Sequence, residues 1–225
     1  MTPGREGRLV ERMAGVLKAS HLLMLFAGAG LVAWTSYVAI DSAYTQWAGS
    51  RALAAGRTAP YERGTSKSPL PPARSPAPRG AVIGKLALPR LSLSFVILEG
   101  TAARTLDRSV GRVEGTAGLG EAGNIGIAGH RNTHFRRLEQ VRRGDVIVLT
   151  SHSIEYRYLV EWVHLFRPDE VQVLDDSHGP AVTLITCFPF EYAGSAPLRY
   201  VVRALPDYST RERLMAASSS AGINR

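Results

Sequence analysis

Between Lys18 and Asp41 the chain runs for 22 residues without a single Lys, Arg, Asp or Glu: ASHLLMLFAGAGLVAWTSYVAI. No other stretch narrows the possible folds as far. About 20 apolar residues, rising ~1.5 Å each in a helix, cross a ~30 Å hydrocarbon layer. A segment apolar on every face does not suit a surface helix of a soluble domain, which has one apolar stripe. A cleaved signal peptide carries an apolar run of only ~7–15 residues before its small-residue site. The nearest such site here, Ala52-Leu53-Ala54, lies twelve residues beyond Ile40. Residues 19–41 are therefore expected to form one uncleaved transmembrane helix. Trp34, Tyr37 and Tyr44 gather toward one end, as interfacial aromatics do. Arg5, Arg8, Arg12 and Lys18 precede the segment, and only Arg51 and Arg57 follow it closely. The positive-inside bias then makes residues 1–18 a cytoplasmic basic tail and places the chain after about residue 45 outside.

The formal charge of +8 suggests nucleic acid until it is mapped. Residues 1–80 hold ten Lys/Arg against four acids, a net of +6, and residues 81–225 hold 17 against 15, a net of +2. The excess sits outside the part expected to fold, and no nucleic-acid motif is present, so a basic binding face is excluded. Residues 42–80 read as an extracytoplasmic linker. Their stretch GRTAPYERGTSKSPLPPARSPAPRG holds six prolines and no apolar periodicity, the composition of a semi-extended stalk.

From residue 81 to 207 the pattern is β. Val82, Leu86 and Leu88 share one face of a run that Pro89 ends, and LSLSFVILEG supplies a second strand. NIGIAGH is a short strand ending at His130, followed by a helical turn in HFRRLEQV. Arg143-Gly144-Asp145 marks a turn before VIVLT. IEYRYLVEWVHLF alternates strongly and reads as one long strand, AVTLITC as a strand buried on both faces, and LRYVVRA as the last. Seven or eight short strands with few helices predict a closed β-barrel or a sandwich. Residues 208–225 read as a frayed tail.

The single cysteine, Cys187, excludes a disulfide framework and a multi-cysteine zinc site. An unpaired thiol on the oxidising side of a membrane is unusual. It is either a small buried hydrophobe or a reactive group, and its place at a strand end beside the loop FPFEYAGSAP favours reactivity. His130 also ends a strand, where Gly126 and Gly129 are expected to let other backbone approach closely. His134 and His164 are its rivals. His130 and His134 have HxxxH spacing but lack the glutamate of the HExxH zinc motif. Arg199 and Arg203 lie on the same face of the last strand, and periodicity alone does not choose between them.

Taken together, IAGHRNTHF (127–135), TLITC (183–187) and APLRYVVRA (196–204) resemble the motifs of bacterial sortases in order and spacing. AGHR and the CFPF loop with PLRY are most similar to class D. The resemblance covers about residues 80–205 and implies an all-β fold: an eight-stranded sortase-type β-barrel with short helices, preceded by one transmembrane helix. It implies that His130, Cys187 and Arg199 are the catalytic histidine, cysteine and arginine. The residue types suit the chemistry. A thiolate is the nucleophile, histidine moves protons near neutral pH, and arginine, always protonated, can stabilise an oxyanion but not act as base. The implied reaction cleaves an LPxTx-like sorting signal of an exported protein through a Cys187 thioester. The acyl group then passes to an amine of a cell-wall component or another protein. The connection from His164 to Pro180 is implied to line the substrate groove. No cofactor or metal is implied, and Glu114, Glu121, Asp175 and Asp176 read as solvated loop charges. Asn132 stands where related sequences often have aspartate, which bears on a local contact rather than on the catalytic set. Two other readings stay open: a hydrolase that releases the acyl group to water, and a membrane-tethered non-enzymatic β-domain that binds an envelope partner.

Overall fold

The computed structural model describes residues 5–55, 77–151, 154–175, 179–192 and 194–208. Most of the expected stalk and tail, as well as His152, Asp176 and His178, lies outside the described residues. The chain divides into two compact units at Ala43/Tyr44.

Helix α1 (Arg5–Ala55) makes up the first unit as far as Ala43, and its last turns from Tyr44 belong to the second. It contains a segment, Ser20–Leu53, long and apolar enough to cross a membrane. Its large side chains are bare, with Leu23, Met24 and Phe26 all above 70% exposed. That is not the environment of a core helix. The helix does not stop at residue 41. Residues 42–55, assigned by composition to the linker, are helical, and the sequence Ala48 to Ala55 explains this: it has no proline and four alanines, the best helix former.

The second unit is a closed eight-stranded barrel. Its strands are β1 (Val82–Leu88), β2 (Leu93–Glu99), β3 (Val110–Arg112) and β4 (Asn124–Ala128), then β5 (Val146–Ser151), β6 (Ile154–Phe166), β7 (Ala181–Phe188) and β8 (Leu198–Pro206). Around the barrel the order is β1-β2-β3-β4-β7-β8-β6-β5, with β5 closing back on β1. Closure leaves no open edge. Two pairs are parallel, β2 with β3 and β4 with β7. The first is bridged by the short helix α2 (Ala103–Arg108).

Alternation fills the interior. Leu86 and Leu88, Ile97, Ile125 and Ile127, Ile147 and Leu149, Val182 and Leu184, and Val202 and Ala204 are all buried in one cluster. Phe135 and Leu138, from the turn after β4, join it fully buried. Because the even-numbered residues of β7 point inward, Thr183, Ile185 and Cys187 lie on the outer face. Register carries that face across to β8, where Thr183 is opposite Arg203, Ile185 opposite Val201 and Cys187 opposite Arg199.

Candidate active site

Three chain segments meet at one end of β7. Strands β4 and β7 run parallel with Ala128 level with Ile185, and the Gly129 N–H extends the pairing to the Ile185 carbonyl at 3.2 Å. His130 is two residues past Ala128, as Cys187 is past Ile185, so the parallel register brings His130 alongside Cys187. On the other side, antiparallel register sets Arg199 of β8 directly opposite Cys187. The cysteine thus lies between the histidine and the arginine on adjoining strands. All three line a cavity of about 420 Å³, completed by Arg131 and Asn132 on one wall and Gly194 to Ala196 of the β7–β8 loop on another.

Local packing fixes each partner. A Cβ at Gly129 would come within 2.8 Å of the Phe135 ring, so glycine lets that buried ring seat directly beneath the strand end. Phe135 in turn donates its N–H to the His130 carbonyl at 3.0 Å, closing the turn. At Gly126 the close neighbour is the Leu174 side chain, at 2.7 Å from a built Cβ. Side chains, not other backbone, are what these two glycines admit. The Thr186 hydroxyl donates to the Gly129 carbonyl at 2.7 Å in a buried bond, locking β7 to the residue before His130.

Cys187 is a free, half-buried thiol. Arg199 directs Nη1 at the carbonyls of Ala196 (3.3 Å) and Leu198 (3.1 Å), which orients the guanidinium against the cavity. Arg203 lies two sheet periods further on, with Nη1 3.5 Å from Thr183 Oγ1, and does not line the cavity. The structure therefore separates two arginines that periodicity left equivalent.

His134 stands edge-on to Phe95 at 5.5 Å, and burial, with the neighbouring His130 charge, pushes its pKa down. His164 is exposed on β6 beside Trp162. Neither lines the cavity. The connection from His164 to Pro180 contributes none of the described cavity lining either. Its turn Val171–Leu174 lies against β4, where Asn124 Nδ2 donates to the carbonyls of Val173 (3.0 Å) and Asp175 (3.3 Å). Two of the acids read as solvated have partners: Glu114 accepts from Thr101 Oγ1, and Glu121 accepts from the Gly118 N–H.

Asp107 is a neighbour that sequence reasoning missed. Its Oδ1 lies 3.4 Å from His130 Nε2, across the cavity edge, with both side chains partly exposed. It sits on α2, 23 residues before His130, in a segment with no strand periodicity, and only the parallel β2–α2–β3 crossover brings it near. Arg131 is the second, clamped to the β7–β8 loop through Tyr192 and Gly194.

The arrangement sets a thiol, an imidazole with a carboxylate neighbour, and a fixed guanidinium around one cavity, groups whose chemistry is suited to acyl transfer.

A family model described as the sortase domain matches residues 86–207. Sortase D of Bacillus subtilis (strain 168) is 32% identical over 124 residues, 55% of this chain and 63% of that protein. Sortase A of Bacillus anthracis is 31% identical over 110 residues and is spanned over 52% of its length, so the chain covers less than two thirds of either relative. Among solved structures, a Clostridium perfringens sortase D5 transpeptidase superposes with a TM-score of 0.53 at 28% identity, over 58% of this chain and 81% of that one. The sortase domain model spans more than half of the chain and lies over the barrel, and the chain belongs to the sortase family.

Proposed function

We propose that the chain is a membrane-anchored cysteine transpeptidase of class D type. It cleaves an LPxTx-like sorting signal of an exported protein and passes the acyl group to an amine. The single observation that carries this reading is the convergence of Cys187, His130 and Arg199 on one cavity from three adjoining strand ends. α1 is the anchor, with residues 1–18 cytoplasmic, residues 19–41 in the bilayer, and residues 81–207 catalytic on the outer side.

The steps follow from the residue types. The Cys187 thiolate attacks the threonyl carbonyl carbon, a C–S bond forms, and the carbonyl electron pair moves onto oxygen. Arg199 faces that oxyanion. The C–N bond then breaks as His130 protonates the departing amine, leaving an acyl thioester on Cys187. An incoming amine attacks the thioester and gives a proton to His130, and the thiolate leaves. The acceptor is an amine of a cell-wall component or of a protein lysine. Outcome at the thioester separates this reading from hydrolysis, since both share the acyl-enzyme.

The test is intact mass of the full chain in detergent with LPxTx peptides, with and without an amine acceptor. The expected result is an adduct on Cys187 that passes to the amine, and none for Cys187→Ala. An adduct released only to water would replace transfer by hydrolysis. Turnover retained in Cys187→Ala would end the reading.

A further inference from the structure

We infer that Arg131 is a positioning residue of this reaction, tying the β7–β8 loop to the backbone that carries His130. The inference rests on the transpeptidase reading.

The loop leaves β7 just after Cys187, returns at Arg199, and supplies Gly194, Ser195 and Ala196 to the cavity. It has no strand partner there, so its backbone must be held by other groups. Among the described residues two guanidinium groups hold it. From the β8 side, Arg199 Nη1 donates to the Ala196 carbonyl at 3.3 Å. From the β4 side, Arg131 Nη2 donates to the Tyr192 carbonyl at 2.7 Å and the Gly194 carbonyl at 3.0 Å. The Arg131 guanidinium also lies 5.8 Å from the centre of the Tyr192 ring. Arg131 thus joins the histidine wall of the cavity to the loop that seats Arg199. If that tie is cut, the Ala196 carbonyl that aims Arg199 is held from one side only.

A second observation bears on this role. Among the described residues Arg131 Nη1 is buried and pairs with none of them, so the guanidinium is held through Nη2, by the two loop carbonyls. The planar group also matters. Nη2 serves both carbonyls while the guanidinium faces the Tyr192 ring, and the compact ammonium of lysine has no plane to lay against that ring.

The test uses the full chain in detergent, with wild type, Arg131→Gln and Arg131→Lys measured by peptide-to-amine transfer and by amide hydrogen exchange of the loop. Misplacing a reacting group by about 1 Å costs on the order of 10²-fold. Arg131→Gln is expected to lower kcat by about that factor with KM changed only a few-fold, and to speed exchange of the loop amides. Arg131→Lys, which keeps the charge, is expected to stay well below wild type. A wild-type kcat in either folded variant, or loop exchange unchanged in both, overturns the inference. Full rescue by lysine would also overturn it, since charge alone would then suffice. A wild type with no transfer product fells the transpeptidase reading itself, and this inference with it. If Arg131→Gln does not fold, Arg131→Lys carries the test through its kcat and loop exchange.

Discussion

Arg199 and Arg203 occupy equivalent faces of β8, yet only Arg199 is level with Cys187, so exchanging roles between them is not open to the molecule. Removing one oxyanion donor from a preorganised site typically costs ~10²–10³ in kcat. Arg199→Ala is therefore expected to lose about that factor, while Arg203→Ala, opposite Thr183, leaves kcat near wild type. Steady-state kinetics on the two variants check this, and equal losses would remove the oxyanion role from Arg199. Lysine at 199 is expected to recover little, because the guanidinium is steered by two carbonyls at once. In the sequence, Cys187 and His130 each close a short apolar run, but pattern alone left His134 and His164 as rivals; the motif resemblance is what singled out His130 and Cys187. Periodicity left Arg199 and Arg203 equivalent, since period 2 fixes a face but not a register, and only the motif resemblance pointed to Arg199. Asp107 and the Arg131 clamp were hidden for a different reason. Both contacts join segments at least 23 residues apart through a helix or loop that carries no periodic signal.

At the scale of elements, strands with alternation or a continuous apolar run were readable, and the shortest one was not. Strand β3 is only Val110–Arg112, too short for a pattern, and is held instead by the parallel register that pairs Glu99 with Arg112. Those two side chains form a buried bidentate pair, with Arg112 Nη2 2.6 Å and Nε 2.9 Å from the carboxylate oxygens. Breaking a buried pair from one side leaves an uncompensated charge and costs about 3–5 kcal/mol. Arg112→Met is expected to lower thermal stability by that amount, and Glu99→Gln similarly. A loss under about 1 kcal/mol in both would mean water replaces the missing partner. The end of α1 was misread as linker because its fit to the barrel is carried by polar and small residues. Gln46 Oε1 accepts from the Val96 N–H of β2 at 2.8 Å, and its Nε2 donates to Ser109 Oγ at 2.6 Å. The Ser109 hydroxyl itself donates to the Val96 carbonyl. The side-chain amide and hydroxyl thus satisfy both backbone groups of Val96 at a point where β3 has not yet begun. Gly49 lets the helix close in, since a Cβ there would meet both Val96 methyls at 2.9 Å. Gln46→Leu strands the Val96 N–H and is expected to cost about 1–3 kcal/mol, with faster exchange of that amide. An unchanged melting temperature together with an unchanged Val96 amide would sink this reading of α1.

For the whole molecule, the ionisable groups displaced by folding set a stability window in pH. On the acid side, Arg90 holds the Asp145 carboxyl below its usual range by a bidentate contact. Glu114 is lowered by a hydrogen bond from its own backbone and by the Thr101 hydroxyl. Burial, and then the His130 charge, lowers His134. Each binds fewer protons folded than unfolded, so stability rises with pH wherever they titrate. The carboxylate contributions are whole above ~4 and are lost as pH falls through their folded values. The His134 contribution is whole above ~6.5 and declines from there down. On the alkaline side the sign reverses. Burial raises the phenols of Tyr156, Tyr200 and Tyr158, the last to about 12 with help from Tyr156 and Tyr208. The unfolded chain then loses its phenolic protons first, so stability falls as pH climbs past ~10. The expected curve of melting temperature against pH is a plateau between about 7 and 10 with a fall on each side. His134→Gln should flatten the slope between about pH 5 and 7, Asp145→Asn the slope below about 4, and Tyr158→Phe the alkaline limb. Thermal melts of the full chain in detergent across pH measure all three. If His134→Gln leaves the slope between pH 5 and 7 as steep as in wild type, some other group carries the neutral-to-acid loss. The burial of His134 would then not be what sets that slope.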